Sequence, residues 1–165
     1  MTEVCGGARI SACGRYRYNL WRAWGEARSS MTWIMCNPST ANADEDDPTI
    51  RKCMGFARHW GYEAISVVNL CALRATNPRE LLAADDPVGP ENERELASVL
   101  NLLMMPRARW SMVVVAWGNA LPKPLRHLGR ACAIPLVACL GQTADGMPRH
   151  PLMLPYSTPL QGCHA

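Results

Sequence analysis

The chain has 165 residues, 48% of them hydrophobic and 19% charged, with a formal net charge of +3. That length and apolar content suit a single domain, 1–165, with a real core, and exclude a disordered or low-complexity chain. No apolar run approaches the roughly 18 residues that cross a bilayer, so no membrane partner is expected.

The first residues, Met-Thr-Glu-Val-Cys-Gly-Gly, lack the basic start and apolar core of a signal peptide, and a cytoplasmic location is expected. Residues 7–22 then predict a β-hairpin. Ser11-Ala12-Cys13-Gly14 is a turn cluster, and Arg15 to Leu20 alternates with period two, sending Tyr16, Tyr18 and Leu20 inward and Arg15, Arg17 and Asn19 outward. Two outward arginines can meet phosphate or simply solvate an edge strand.

Thr32 to Cys36 reads as a buried strand that stops at Asn37-Pro38, because proline has no N–H for the ladder. Pro38, Ser39 and Thr40 begin a polar loop that ends at Asp47-Pro48, an N-cap followed by proline at the first helical position. Ile50, Cys53, Ala57 and Trp60 fall at helical spacing, which predicts a helix over 48–60 stopped by Gly61. Ala64 to Leu70 is a second strand, with Asn69 its one polar residue near the end. A buried amide must be hydrogen-bonded, so Asn69 either fixes a neighbouring loop or serves a ligand. Arg74-Ala75-Thr76 and Asn77-Pro78 follow on the same side of the sheet.

A short helix over 78–84 precedes the turn residues Asp86-Pro87-Val88-Gly89-Pro90. Leu96, Val99, Leu100 and Leu103 mark an amphipathic helix ending before Pro106. Met112 to Ala116 is a third strand. It leads into Trp117-Gly118-Asn119, where glycine permits close backbone approach and Asn119 can cap a helix reaching about Arg130. Trp117 can anchor the core or act as a stacking platform. Leu136 to Leu140 is a fourth strand. Last come Gly141-Gln142-Thr143 and the proline-bracketed loop Pro148-Arg149-His150-Pro151, which holds one histidine still.

Strands alternating with helices imply an α/β three-layer sandwich: a mostly parallel central sheet of about four strands, an N-terminal β-hairpin and flanking helices. Four strand ends would then deliver Asn37, Asn69, Trp117-Gly118 and Thr143 to one edge, with His150 in reach. In such sheets that edge is where ligands bind.

Of the eight cysteines none forms a Cys-x-x-Cys pair, and Cys36, Cys71 and Cys139 adjoin apolar runs. Buried free thiols are expected, with no metal and no cofactor. Asp44, Asp46 and Asp47 offer a Mg²⁺ alternative to a solvated loop with a helix cap. Residues 106–150 hold six bases (Arg107, Arg109, Lys123, Arg126, Arg130 and Arg149) against Asp145 alone, a balance suited to phosphate contact or to an ordinary solvated surface.

Cys13-Gly14-Arg15-Tyr16-Arg17-Tyr18, Asn37-Pro38-Ser39-Thr40-Ala41, Asp46-Asp47-Pro48-Thr49-Ile50-Arg51, Val68-Asn69-Leu70, Arg74-Ala75-Thr76, Asp86-Pro87-Val88-Gly89-Pro90, Ala116-Trp117-Gly118 and Pro148-Arg149-His150-Pro151-Leu152 resemble, in order, the bacterial and phage family called domain of unknown function 1643. Asn119-Ala120-Leu121 stands where members of that family often carry a histidine-containing turn.

Strand–Asn-Pro, strand–Asn, strand–Gly and a late His-Pro also resemble the motif order of the uracil-DNA glycosylase superfamily. That resemblance implies a nucleobase N-glycosidic-bond hydrolase acting on a base in nucleic acid or a nucleoside. Asn37 and His150 would be catalytic, placing the attacking water and stabilising the departing base. Asn69 would read the base. Pro38, Ser39, Thr40, Arg74, Trp117, Gly118 and Arg149 complete the expected substrate-binding set, with nucleic acid or a nucleotide as partner. The chain departs from that superfamily in its His-Pro-Leu-Met motif and in having asparagine where aspartate would act as base. The alternative is a nucleotide- or nucleic-acid-binding module without turnover.

Overall fold

The computed structural model describes residues 3–103, 111–131 and 137–163. The side chains of Leu103 and Arg130, together with Pro106, Arg107, Arg109, Cys132, Leu136 and His164, lie outside the described residues. The predicted hairpin is β1 (Cys5–Ile10) and β2 (Arg17–Ala23). The expected strand series follows as β3 (Ser30–Met35), β4 (Ala64–Asn69), β5 (Ser111–Val115) and β6 (Val137–Cys139), with a short β7 (Gln161–Gly162) after it. Four helices accompany them among the described residues: α1 (Pro48–His59), α2 (Glu80–Ala83), α3 (Asn92–Leu103) and α4 (His127–Ala131).

The seven strands among the described residues join one sheet in the order β1-β2-β4-β3-β5-β6-β7. The centre, β4-β3-β5-β6, is parallel throughout. The hairpin pairs antiparallel on one side, through β2 and β4, and β7 pairs antiparallel on the other. The sheet is therefore wider than the expected four or so strands, because hairpin and C-terminal strand extend it rather than standing apart.

Both faces are covered, which is why the central strands are apolar on alternate and intervening positions alike. Met31, Trp33, Ile65, Val67 and Val114 pack on one face with Ile50, Cys53, Phe56 and Ala57 of α1. Ile34, Val68, Val113 and Val115 form the other face, under Leu81 of α2 and Leu96, Val99 and Leu100 of α3. The start of α1 is as expected: Asp47 Oδ1 accepts from the Ile50 N–H at 2.9 Å, and Pro48 needs no partner at the first position. Gly61, at φ +78°, ends the helix in the left-handed region.

The inward and outward assignment of β2 fails at one residue. Arg9 pairs with Asn19 and Ile10 with Arg17, so Tyr18 is an extra residue on β2. Such a bulge reverses the alternation on one side of it. Tyr18 therefore packs on the α3 face and Leu20 on the α1 face. Arg17, expected outside, is 2% exposed and donates from Nη1 to the Ala41 carbonyl at 2.9 Å. Nor is β2 an edge strand, since it lies between β1 and β4. Asn19 is half-buried, giving its Nδ2–H to Glu95 and accepting from Ser66.

A single helix from Asn119 to Arg130 does not form. Pro122 and Pro124 break the segment into two 3-10 turns, Gly118–Ala120 and Lys123–Leu125, and α4 starts only at His127. Asn119 accepts from Thr143 Oγ1 at 2.9 Å instead of capping a helix. Among the described residues no helix is long and apolar enough to cross a membrane. The described cysteines are free, and Cys36, Cys71 and Cys139 are buried as expected.

Candidate functional site

The parallel strands β3 and β4 end at a cavity of about 190 Å³. Asn37 reaches it from just past β3, Asn69 from the last position of β4, Ala120 from beyond β5 and His150 from beyond β6. Ser39 lines it too. Four of the expected site residues thus meet in one place. Arg17, Asp47, Thr49 and Thr76 line the same cavity; none is in the expected catalytic or substrate-binding set, although the sequence offers Asp47 as a Mg²⁺ ligand and Arg17 as an outward phosphate contact.

Asn37 commits its amide nitrogen to the fold. Nδ2 donates to the Ala75 carbonyl at 2.8 Å and to the Pro38 carbonyl at 3.0 Å. The Ala75 N–H returns a bond to the Pro38 carbonyl at 2.9 Å, so loop 74–76 is tied to the end of β3. With both amide hydrogens used, Oδ1 is the atom Asn37 has left to offer, and it can only accept.

Asn69 is the complement. It is 1% exposed and its Nδ2 has no hydrogen-bond partner among the described residues. Burying an unbonded donor is costly, so this nitrogen is a ready partner for an acceptor on a ligand. Its backbone is fixed from below by Asn92, fully buried at the start of α3. Asn92 Nδ2 donates to the carbonyls of Asn69 at 2.9 Å and Leu70 at 3.1 Å.

His150 precedes the 3-10 turn Pro151–Met153, and its Nδ1 accepts from the Leu152 N–H at 3.3 Å. A neutral ring in that tautomer carries its proton on Nε2 and is a donor there. Burial pushes the imidazole pKa below its usual 6.5, partly opposed by the negative charge of Asp47. Gly118 backs the ring's Cβ, and its N–H donates to the Pro148 carbonyl at 2.8 Å.

The other expected substrate-binding residues do not line the cavity. Pro38 is buried behind Asn37, and Thr40 is exposed. Arg74 donates to the carbonyls of Gly14 and Thr40 at 3.3 and 3.4 Å. Trp117 is 4% exposed in the core on the α3 face, its core-anchor reading. Gly118 lies against the His150 Cβ outside the lining, and Arg149 is exposed. Among the described residues no group of three His, Cys, Asp or Glu is placed to hold a metal ion. Asp46 instead pairs with Arg22 at 2.9 Å, and Asp47 caps α1.

A second depression of about 480 Å³ adjoins the first, sharing Pro78 and Ala120 with it and carrying Arg79 and Lys123 on its walls. No curated protein and no solved structure matches the chain. The model of the family described as a protein of unknown function (DUF1643) matches residues 17–152, a span that takes in every residue lining the cavity from Arg17 to His150, and the chain belongs to that family.

Proposed function

We propose that the chain hydrolyses the N-glycosidic bond of a base in nucleic acid or in a nucleoside. The observation that carries this reading is the meeting of Asn37, Asn69 and His150 in one cavity at the carboxyl ends of parallel strands. At about 190 Å³ the cavity is below the roughly 300–1,000 Å³ of sites for drug-sized ligands and suits a single planar ring system. The parallel order β4-β3-β5-β6 supports the likeness in architecture to the uracil-DNA glycosylase superfamily.

The chemistry uses what each group has left to offer. Asn69 Nδ2 donates to a carbonyl on the base edge. Asn37 Oδ1 accepts a hydrogen bond from the attacking water and orients it. Asp47 supplies the base that an asparagine cannot be, taking the water's proton as its oxygen bonds to the sugar C1′. The C1′–N bond breaks, its electron pair leaves with the base, and the base is then protonated from solvent. His150, neutral and protonated at Nε2, donates to the charge developing on that base. One pre-organised donor of this kind is worth about 3–4 kcal/mol.

Two surface features favour a polynucleotide over a free nucleoside. Arg79 and Lys123 border a depression continuous with the cavity, where a phosphate backbone can run. Leu152 and Met153, 40% and 89% exposed, sit beside His150 as apolar side chains able to enter a base stack.

The test is base release from oligonucleotides carrying deaminated or modified bases. Release that Asn37→Ala and His150→Ala each abolish supports the reading; no release across the panel, or release that both variants retain, overturns it. The structural use of Asn37 Nδ2 favours a second reading, binding without turnover. That reading predicts salt-dependent nucleic-acid binding, weakened by Arg149→Ala or Arg74→Ala, and no released base.

A further inference from the structure

We infer that the cavity takes a ligand bearing a negative charge, a carboxylate or phosphate whose oxygens pair with the guanidinium of Arg17. The inference rests on the reading of this cavity as a site for a base or nucleotide.

The bulge at Tyr18 turns Arg17 inward, where it lines the cavity at 2% exposure. A buried cation is normally paired or fully hydrogen-bonded. Arg17 is neither. Its side chain makes one hydrogen bond among the described residues, Nη1 to Ala41, and its buried Nε has no partner there. Among the described residues no carboxylate oxygen lies within 4.0 Å of it. Nε and Nη2 share the guanidinium edge that matches two oxygens of a carboxylate or phosphate.

The surrounding charge does not cancel. Arg22 and Arg74 repel Arg17 and Asp47 attracts it. Asp46 is paired with Arg22, and Asp47 spends only Oδ1 on the first turn of α1. Among the charged side chains that act on Arg17, two arginines outnumber one aspartate. Burial lowers the Arg17 pKa to about 10, so the side chain still carries its proton at neutral pH. A neutral base satisfies Asn69 and leaves that charge unpaired.

Isothermal titration with matched probes tests this: uracil against 5-carboxyuracil, deoxyuridine against deoxyuridine 5′-monophosphate, and inorganic phosphate alone. The charged member of at least one pair is expected to bind about ten-fold tighter or better. The pair that shows the preference identifies the source, ring carboxylate or nucleotide phosphate. Arg17→Gln should erase the difference, and Arg17→Lys, which keeps charge without the fork, should retain part of it. If Arg17→Gln does not fold, the wild-type pairs and Arg17→Lys still decide. Equal affinities within both pairs, no binding of any charged probe, or a preference surviving in folded Arg17→Gln overturns the inference. Charge preference without base release defeats the glycosidic reading alone; base release without charge preference defeats this inference alone.

Discussion

Gly118 and His150, from the connections after β5 and β6, are packed so closely that a Cβ added to Gly118 would stand 3.1 Å from the His150 Cβ. Gly118 also sits at φ +63°, in the left-handed region. A side chain there meets two penalties, backbone strain of about 1–2 kcal/mol and displacement of the histidine. Gly14 shows the first without the second, at φ +73° with nothing within 4 Å of an added Cβ. Gly14→Ala should therefore lower the melting temperature and leave base release unchanged. Gly118→Ala should lower both. Equal activity in the two variants would show that the glycine does not position the imidazole.

Asn92 is the hidden support of the site. Replacing it with alanine leaves the carbonyls of Asn69 and Leu70 without the Asn92 amide, at a position that is fully buried. The expected loss is about 1–3 kcal/mol in urea unfolding, with weaker ligand binding because the end of β4 is freed. A loss under about 0.5 kcal/mol would mean that other groups satisfy those carbonyls.

Asn92 also shows where sequence reasoning stops. Within Glu91-Asn92-Glu93 it looks like a solvated helix start, and nothing local says that two strand-end carbonyls lie beneath it. Arg17 was hidden differently. Period-two alternation assumes an unbroken ladder, and one extra residue opposite Ile10 sent the guanidinium from solvent into the cavity. The strand–loop–helix unit from Met31 to Trp60 was legible because each of its signals is local: a buried apolar run, Asn-Pro, an aspartate cap and proline in the first turn. Asn69 and His150 were legible for a related reason, as polar residues at a strand end and in a proline-held loop. The segment after Trp117 was misread because two closely spaced prolines do more than tolerate a first turn; they divide it.

Asp47 is given two duties, capping α1 and taking a proton from water, and they can be separated. Serine caps about as well as aspartate, whereas alanine costs about 0.5–2 kcal/mol of stability. Asp47→Ser should keep the cap's share of the stability, losing only the attraction for the buried Arg17, and yet lose about 10²–10⁴-fold in base release. Asp47→Ala should lose both. An active Asp47→Ser would limit the carboxylate to its structural duty.

His150 makes stability depend on pH in a direction fixed by its burial. Its folded pKa lies below the 6.5 of a free imidazole, so as pH falls the unfolded chain takes up the proton first. The stability held by the neutral ring is complete above 6.5, declines as pH falls toward the folded pKa, and is gone below it. His150→Gln, which cannot titrate, should lack that part of the decline when both proteins are unfolded in urea from about pH 8 to pH 5. The other histidines are common to both proteins and drop out of the difference. Asp47 opposes the shift through its charge, so Asp47→Ser should steepen the decline, a coupling that simple exposure of the ring would not produce. The same neutral form is the one proposed to donate to the departing base, so base release should hold steady somewhat below pH 6.5 before it falls. Parallel stability curves for wild type and His150→Gln would show a ring that titrates as it does in water.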